Sequence, residues 1–310
     1  MIKIIKNNYK FYYNLLYVYD KLMEFYYEKL STPEKTIKKR YKKRLGKKVD
    51  LTEPIVFNDK IQWLKLNWYD PFATICADKY KVRDVIKQTV GEKYLNEQIA
   101  VFENVNEIDI EKLPKSFVLK GTHGSGFNIV CKDKTKMNWD LEFRKMKRWL
   151  SNKYYLKNGE WVYKDIKPRI ICEKYMDDEN QHDGLTDYKF YCFHGEPLYC
   201  QVIKDREANG TIDFFDMNWN HMKFTGLQKL PQSEEKIGKP LKLDEMYDIA
   251  KKLSKRFPFV RVDFYYVNNK VYFGEMTFFP RSGFGDFQPE EWNERIGALI
   301  KLEKVNKKRE

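Results

Sequence analysis

The 310-residue sequence contains no uninterrupted apolar run of the ~18 residues that a membrane-spanning helix requires. Its apolar, aromatic first thirty residues are broken repeatedly by lysines and acids. No clean apolar stretch ends in a small-residue cleavage site, so neither a span nor a secretory signal is expected. Cysteine is sparse: Cys76, Cys131, Cys172, Cys192 and Cys200 form no CxxC pair. An odd, scattered set points to reduced thiols and a cytoplasmic setting, and Cys131, Cys172 and Cys192 lie in strand-like runs as small core residues. The four histidines, His123, His182, His194 and His221, show no metal-ligand spacing, so a zinc site is not supported. There is no internal repeat, no low-complexity linker and no GxxxxGK[ST] loop, and regular βαβ alternation is missing, which argues against a doubly wound fold.

What is present is aromatic and basic. Aromatics make up 16% of the chain, which suits a sheet-rich core, while 42% hydrophobic and 33% charged residues suit a soluble one. The net charge is +13, and residues 1–50 hold fourteen Lys/Arg against five Asp/Glu. The densest stretch is Lys38-Lys39-Arg40-Tyr41-Lys42-Lys43-Arg44, with Lys47 and Lys48 following. Such a run attracts nucleic acid, anionic lipid or a polyanionic glycan, or simply coats a solvated helix. Nucleic acid ranks lowest, because no base-reading motif accompanies the charge. Interleaved aromatics such as Tyr9, Phe11, Tyr12, Tyr13, Tyr17, Phe25, Tyr26 and Tyr27 suit contact with a membrane surface.

The pattern reads as α+β. Helices are expected within 1–50, broken at Ser31-Thr32-Pro33-Glu34, then from Asn58 as N-cap, and over 74–90. Strands at 116–120 and 128–131 flank a Gly-rich hairpin tip, and a helix follows at 139–152. Further strands are expected at 168–176, 187–193 and 198–203, then a helix at 243–255. A last hairpin pairs Phe259–Val267 with Lys270–Phe278 across Asn268-Asn269. The expected division is a basic helical region (1–50), a helical region (51–114), two α+β lobes (115–177 and 178–302) and a charged tail (303–310).

The last hairpin carries the strongest chemical signal. Strand alternation puts Arg261 and Asp263 on one face, and Glu275 and Thr277 on one face of the partner strand. Two carboxylates on adjacent strands repel unless a cation lies between them, and Mg²⁺ takes one or two carboxylates plus substrate phosphates. The alternative is an exposed sheet face on which Arg261 pairs with Asp263. Lys120-Gly121-Thr122-His123-Gly124-Ser125-Gly126 resembles a flexible cover over phosphates, since glycines let backbone N–H groups approach oxygens closely. It is equally an ordinary glycine turn. Glu173-Lys174-Tyr175-Met176 ends an apolar strand, where backbone groups suit the edge of an adenine ring or merely mark the strand's end. Asp187 and Lys189 share a strand face, as a phosphate-side group or as a plain ion pair. The four signals in this order describe a nucleotide-triphosphate clamp.

The sequence resembles the ATP-grasp superfamily, and within it the TupA-like branch of bacterial cell-surface polysaccharide biosynthesis. The resemblance rests on Phe57–Leu66, Ala77–Arg83, Phe117–Gly126, Glu173–Tyr175, Asp187–Phe190, Phe257–Asp263 and Phe273–Phe278, and covers about residues 40–302. It implies an ATP-grasp fold of two α+β lobes clamping ATP, behind the basic helical region. It implies that Lys120 holds the α/β-phosphates under residues 121–126, with Lys79 as a further phosphate-side lysine. Glu173, Lys174, Tyr175 and Met176 would frame adenine beside Asp187, and Glu179 would take the ribose. Lys189 and Arg261 would serve the transferring phosphoryl group. Asp263 and Glu275 would bind one or two Mg²⁺ ions, with Thr277 where many relatives carry Asn. Arg281, Ser282 and Gly283 would face the acceptor, the arginine hinting at an anionic one. The implied chemistry is carboxylate–amine ligation through an acyl phosphate, on a uronic-acid-containing glycan or its precursor, at the inner face of the membrane. The competing expectations are a glycan phosphotransferase on the same clamp and a glycosyltransferase, for which Asp177-Asp178-Glu179 is a poor metal motif. A non-catalytic polyanion scaffold comes last, because it leaves Asp263 and Glu275 unexplained.

Overall fold

A computed structural model describes residues 9–178, 184–204, 210–228 and 230–305. Glu179 and His182 lie outside the described residues. The chain opens with α1 (Tyr9–Phe25), extended by a π-helical turn to Leu30, and α2 (Pro33–Leu45). The break between them follows from Thr32, whose side chain accepts from the Lys35 amide with Pro33 at the first helical position. Gly46 then ends α2 in the left-handed region, at φ 74°.

Next come α3 (Phe57–Asn67), α4 (Pro71–Ala77) and α5 (Val82–Thr89). Two sequence expectations change here. Val56, not Asn58, occupies the N-cap of α3, and Asn58 is buried in the first turn, where its side-chain amide donates to Asp286 at 2.8 Å. The single helix expected over 74–90 is two. Asp78 ends α4 and its carboxylate accepts from the Tyr80 amide, a local bond that competes with helix continuation. That break frees Lys79 to point away from either helix axis.

The first sheet contains β1 (Gln98–Phe102), β2 (Phe117–Gly121), β3 (Asn128–Cys131) and β4 (Ile170–Lys174) in the order β1-β4-β2-β3, antiparallel throughout. Helix α6 (Trp139–Leu150) packs on it, with Phe117, Leu119, Ile129, Ile170 and Met146 in a shared core. Short α7 (Tyr154–Asn158) follows α6.

The second sheet is six-stranded: β5 (Asp187–Phe193), β6 (Glu196–Lys204), β7 (Thr211–Asp216), β8 (His221–Met222), β10 (Phe259–Val267) and β11 (Lys270–Thr277), in the order β11-β10-β5-β6-β7-β8. Minor strands β9 (Thr225–Gly226) and β12 (Phe287–Gln288) pair with each other. Helices α8 (Leu243–Ser254) and α9 (Glu291–Gly297) complete the lobe. Its core joins Phe190, Tyr191, Phe214, Phe259, Phe264 and Phe287 with α3 residues Phe57, Ile61 and Leu64, so the aromatic surplus is spent on this sheet. Sequence reading missed β1 and β7. All five cysteines are buried and free.

Candidate active site

The turn of the last hairpin is Asn268-Asn269, both at positive φ (49° and 61°), as a two-residue type I′ connection demands. Register then follows: Asp263 faces Glu275 on β11 and Lys189 on β5, while Arg261 faces Thr277 and Tyr191. Gly274 absorbs a bulge beside Asp263, where a Cβ would lie 3.0 Å from the Asp263 carbonyl oxygen. Three strands thus deliver Lys189, Asp263, Glu275, Arg261 and Thr277 to one patch.

The charges there are interlocked. Arg261 donates from Nε to Asp263 Oδ1 and from Nη2 to Asp263 Oδ2, each at 2.7 Å. Lys189 Nζ donates to Asp263 Oδ2 at 2.5 Å and to Asp187 Oδ1 at 3.0 Å. Arg261 Nη2 also reaches Glu275 Oε1 at 3.3 Å and Thr277 Oγ1 at 3.1 Å, and the Thr277 hydroxyl donates to Glu275 at 2.9 Å. Asp263 is 2% exposed and lies beneath Arg261, whereas Glu275 is about a third exposed. The Arg261–Asp263 pairing foreseen as the alternative therefore coexists with the facing carboxylates. Burial pushes the Glu275 carboxyl up, but Lys79, Arg261 and Lys189 outweigh it and hold it at about 2. The neighbouring carboxylates raise the Arg261 guanidinium further against its burial.

Lys189, Arg261, Glu275 and Thr277 line a cavity of about 500 Å³ with Ser125, Gly126 and Asn128 from the first sheet's hairpin and with Lys79 from the α4–α5 connection. Lys79 donates to the Gly124 carbonyl at 2.7 Å and approaches Glu275 Oε2 at 3.9 Å, so it bridges the glycine turn and the hairpin. Burial lowers its ammonium pKa, which Glu275 partly offsets.

The glycine turn is tied to the lobe by its first four residues. The Thr122 amide donates to the Arg169 carbonyl at 3.0 Å, His123 is buried against the Trp149 carbonyl at 2.8 Å, and Gly121 pairs with Phe127. A Cβ on Gly124 would lie 2.9 Å from both Phe127 and Tyr154. Only Ser125 and Gly126 turn outward, with Gly126 at φ 78°. The physical reason is the ring cluster of His123, Phe127, Trp149 and Tyr154, which packs under the turn.

A second cavity of about 210 Å³ adjoins, sharing Asn128 and lined by Lys120, Glu173, Lys174, Tyr175, Met176 and Asp187. Glu173 is held between Lys120 at 2.6 Å and Arg83 at 3.3 Å, which fixes Lys120 on the cavity wall. The Lys174 amide donates to the Glu97 carbonyl and its own carbonyl accepts from Asn96 at 2.8 Å. Both backbone groups of Lys174 are thus engaged, and Tyr175 and Met176 line the cavity beyond the strand's end.

The turn after β11 is the third component. Arg281, Ser282 and Gly283 all have positive φ (50°, 56° and 63°). This strained path is fastened by α3: Gln62 Nε2 donates to the Ser282 and Gly283 carbonyls, and Lys65 Nζ to the Ser282 carbonyl at 2.8 Å. Lys65 also donates to Gln62 and to the Asn158 carbonyl, each at 3.0 Å. Burial lowers the Lys65 ammonium to about 7. The Ser282 hydroxyl donates to Glu160 at 2.5 Å and accepts from Asn158 at 2.8 Å. Sequence reading missed Gln62, Lys65, Asn158 and Glu160. The available signal was two polar residues one turn apart on a helix face otherwise set with Ile61 and Leu64.

The donor set fits a magnesium nucleotide. Glu275 is ionised, partly exposed and beside a hydroxyl, and Lys79, Arg261 and Lys189 face it. Asp263 is a ligand only if Arg261 and Lys189 give way.

Comparison with known proteins follows this geometry. Among solved structures, the chain is similar to D-alanine–D-alanine ligase from Helicobacter pylori (15% identity, TM-score 0.42, covering 79% of this chain and 69% of that one). It is also similar to the ATP complex of D-alanine–D-alanine ligase from Bacillus anthracis (16%, 0.37, 66% and 53%) and to L-amino acid ligase from Bacillus licheniformis (14%, 0.40, 69% and 44%). The chain thus spans about half of the latter two proteins, and at these TM-scores none of the three bears on activity. No curated protein matches it. The TupA-like ATP-grasp family model matches residues 59–301, taking in Lys79, the glycine turn, both sheets and the Arg281 turn, and the chain belongs to that family.

Proposed function

We propose that the protein is an ATP-dependent carboxylate–amine ligase that joins an amine, such as an amino acid, to a uronic-acid-containing cell-surface glycan or its precursor. The observation that carries this reading is the convergence of Ser125 from the glycine turn and Lys79 from the α4–α5 connection with Lys189, Arg261, Glu275 and Thr277 of the second sheet on one cavity. Bound Mg·ATP would supply the phosphoryl group that activates the acceptor carboxylate as an acyl phosphate before the amine displaces phosphate. Glu275 and Thr277 would hold the metal, with Asp263 behind them. Tyr175 and Met176 would take the base, and Lys120 and Lys189 the phosphates. Arg261 enters with its orientation already set by Asp263, so little reorganisation accompanies charge development on the transferring group. Positioning by Lys79, which links the glycine turn to the hairpin, supplies the remainder.

The test is nucleotide binding by the purified protein, followed by melting temperature with and without Mg²⁺, beside a Glu275→Gln variant that leaves the buried Asp263 pairing intact. The reading stands if Mg·ATP raises the wild-type melting temperature and the variant loses the response. Absence of any shift with millimolar ATP or ADP in the wild type overturns it. A stable phosphorylated glycan in place of released phosphate would assign the clamp to phosphotransfer instead.

Helix α1 bears on location. Its polar face is tied to the body by Arg148–Asp20, Tyr9–Asp140 and the bond from the Lys153 amide to Glu24. Phe11, Leu15, Val18, Leu22 and Phe25, spaced four and three apart, form one stripe on the opposite side, every member more than half exposed. None of the described helices is long and apolar enough to cross a membrane. The stripe and the positive charge of residues 1–50 together suit an anionic bilayer, on which α1 would lie flat.

A further inference from the structure

Most of the basic run, Lys38, Lys39, Lys42, Lys43 and Arg44 included, is exposed, but Arg40 is half-buried, and one side of the helix borders the cavity. Arg40 and Arg44, one turn apart on α2, line the 500 Å³ cavity together with Arg281. Both arginines lie outside the segment matched by the family model, which starts at residue 59. Their placement is nonetheless fixed against the site. Ile37 of α2 sits where a Cβ on Gly159, between Asn158 and Glu160, would lie 3.3 Å away. The Tyr41 ring meets Phe284, next to the Arg281–Gly283 turn, edge-on at 6.4 Å. Helix α2 therefore rests on the two segments that shape the far end of the cavity.

The charge there is unbalanced. Among the described residues no carboxylate pairs with Arg40, Arg44 or Arg281, and Arg40 Nε is buried without a hydrogen-bond partner. Glu160, the nearby acid, is already used by the Ser282 hydroxyl and Asn158. The surplus is felt by neighbours: burial first, then Arg40, lowers the Lys157 ammonium, and Arg40 also acts against Lys65. An uncompensated buried donor is costly unless a ligand supplies the acceptor. Guanidinium groups bind carboxylates bidentately, and three of them exceed what one carboxylate can satisfy.

We propose that Arg40, Arg44 and Arg281 form an acceptor subsite that recognises a chain of carboxylate-bearing units. One carboxylate would enter the reaction while its neighbours are gripped by α2. The inference rests on the ligase reading above and names its acceptor as polyanionic. The occupant is a uronate oligosaccharide, the acceptor of that reading, and an acidic peptide of equal charge is the competing outcome of the test.

The experiment is equilibrium binding of fluorescently labelled tri-galacturonate and tri-glutamate, with maltotriose as the neutral control, in the presence of Mg·ADP. Wild type is compared with Arg40→Ala/Arg44→Ala, Arg40→Lys/Arg44→Lys and Arg281→Ala. We expect tri-galacturonate to bind in preference to tri-glutamate, maltotriose not to bind, and the double alanine variant and Arg281→Ala each to weaken tri-galacturonate binding by at least about tenfold. The double lysine variant should fall between wild type and the alanine variant, because charge survives but the bidentate fork is lost. The Mg·ATP melting shift should remain in both double variants, which shows that they fold and that the nucleotide site is separate. Failure of tri-galacturonate to bind wild type, binding by tri-glutamate alone, or equal binding by the double alanine variant overturns the uronate subsite. A missing Mg·ATP shift in wild type would instead remove the ligase reading itself.

Discussion

Arg261 covers both oxygens of Asp263, with Nε and Nη2 each 2.7 Å from their acceptors, and so leaves Glu275 as the open carboxylate of the hairpin. The two acids face each other in register but serve different ends. One neutralises buried cations, and the other meets the cavity.

That division predicts different outcomes for single substitutions. Asp263→Asn leaves Arg261 and Lys189 without their shared counter-charge, and breaking a buried ion pair from one side costs about 3–5 kcal/mol. Urea unfolding should show that loss without ligand. Glu275→Gln, on the more open side, should keep most of the fold's stability and lose the Mg²⁺-dependent part of ATP binding, by at least about tenfold on titration. Equal losses of stability in both variants would contradict the division.

Lys65 gives a pH prediction. Its ammonium is lowered to about 7 by burial, against 10.5 when free, so between those values the unfolded chain holds a proton that the native chain lacks. Stability contributed by this group therefore rises with pH across about 7 to 10, with a slope of at most about 1.4 kcal/mol per unit, and the burial penalty is fully present below 7. Subtracting a Lys65→Met variant's stability curve from wild type should expose that slope. A flat difference would mean that Gln62, Ser282 and Asn158 keep the group charged.

The glycine turn yields a contrast between two glycines. Gly124→Ala drives a methyl to 2.9 Å from Phe127 and Tyr154 and should cost about 1–3 kcal/mol by overpacking, with weaker nucleotide binding as Ser125 shifts. Gly126→Ala meets nothing within 4 Å, yet Gly126 has φ 78°, so only the left-handed backbone resists, at about 1 kcal/mol. Chemical denaturation of the two variants beside ATP titration separates packing from backbone strain.

The α1 stripe is tested by Leu15→Asp/Leu22→Asp. Both positions are exposed, so stability should change by no more than about 0.5 kcal/mol each and the Mg·ATP shift should stay. Co-sedimentation with vesicles of phosphatidylglycerol and phosphatidylcholine should fall several-fold relative to wild type. Light scattering that shows a wild-type dimer dissociated by the same variant would assign the stripe to a second copy instead.

Much of this was legible in residue order. Period-two alternation put Arg261 with Asp263 and Glu275 with Thr277, Asn268-Asn269 set the register between them, and Thr32-Pro33 marked the start of a helix. These are local signals, each readable from a few neighbouring residues. The limits of local reading are equally specific. Asn58 looked like a cap and is a buried partner of Asp286, 228 positions away. The contacts of the 121–126 run with Trp149, Tyr154 and Arg169 were not legible, because those residues lie far along the chain.

The sequence by itself determined the α+β architecture and the order of the site's pieces, because glycines, prolines and strand alternation act over a few residues, and its motifs carried the resemblance to the family. Tertiary structure alone decided which carboxylate is open, that Gln62 and Lys65 hold the Arg281 turn, and that the basic run reaches the cavity while α1 turns its apolar side outward. Those outcomes depend on burial and on charges meeting across more than a hundred residues, and no local pattern encodes either.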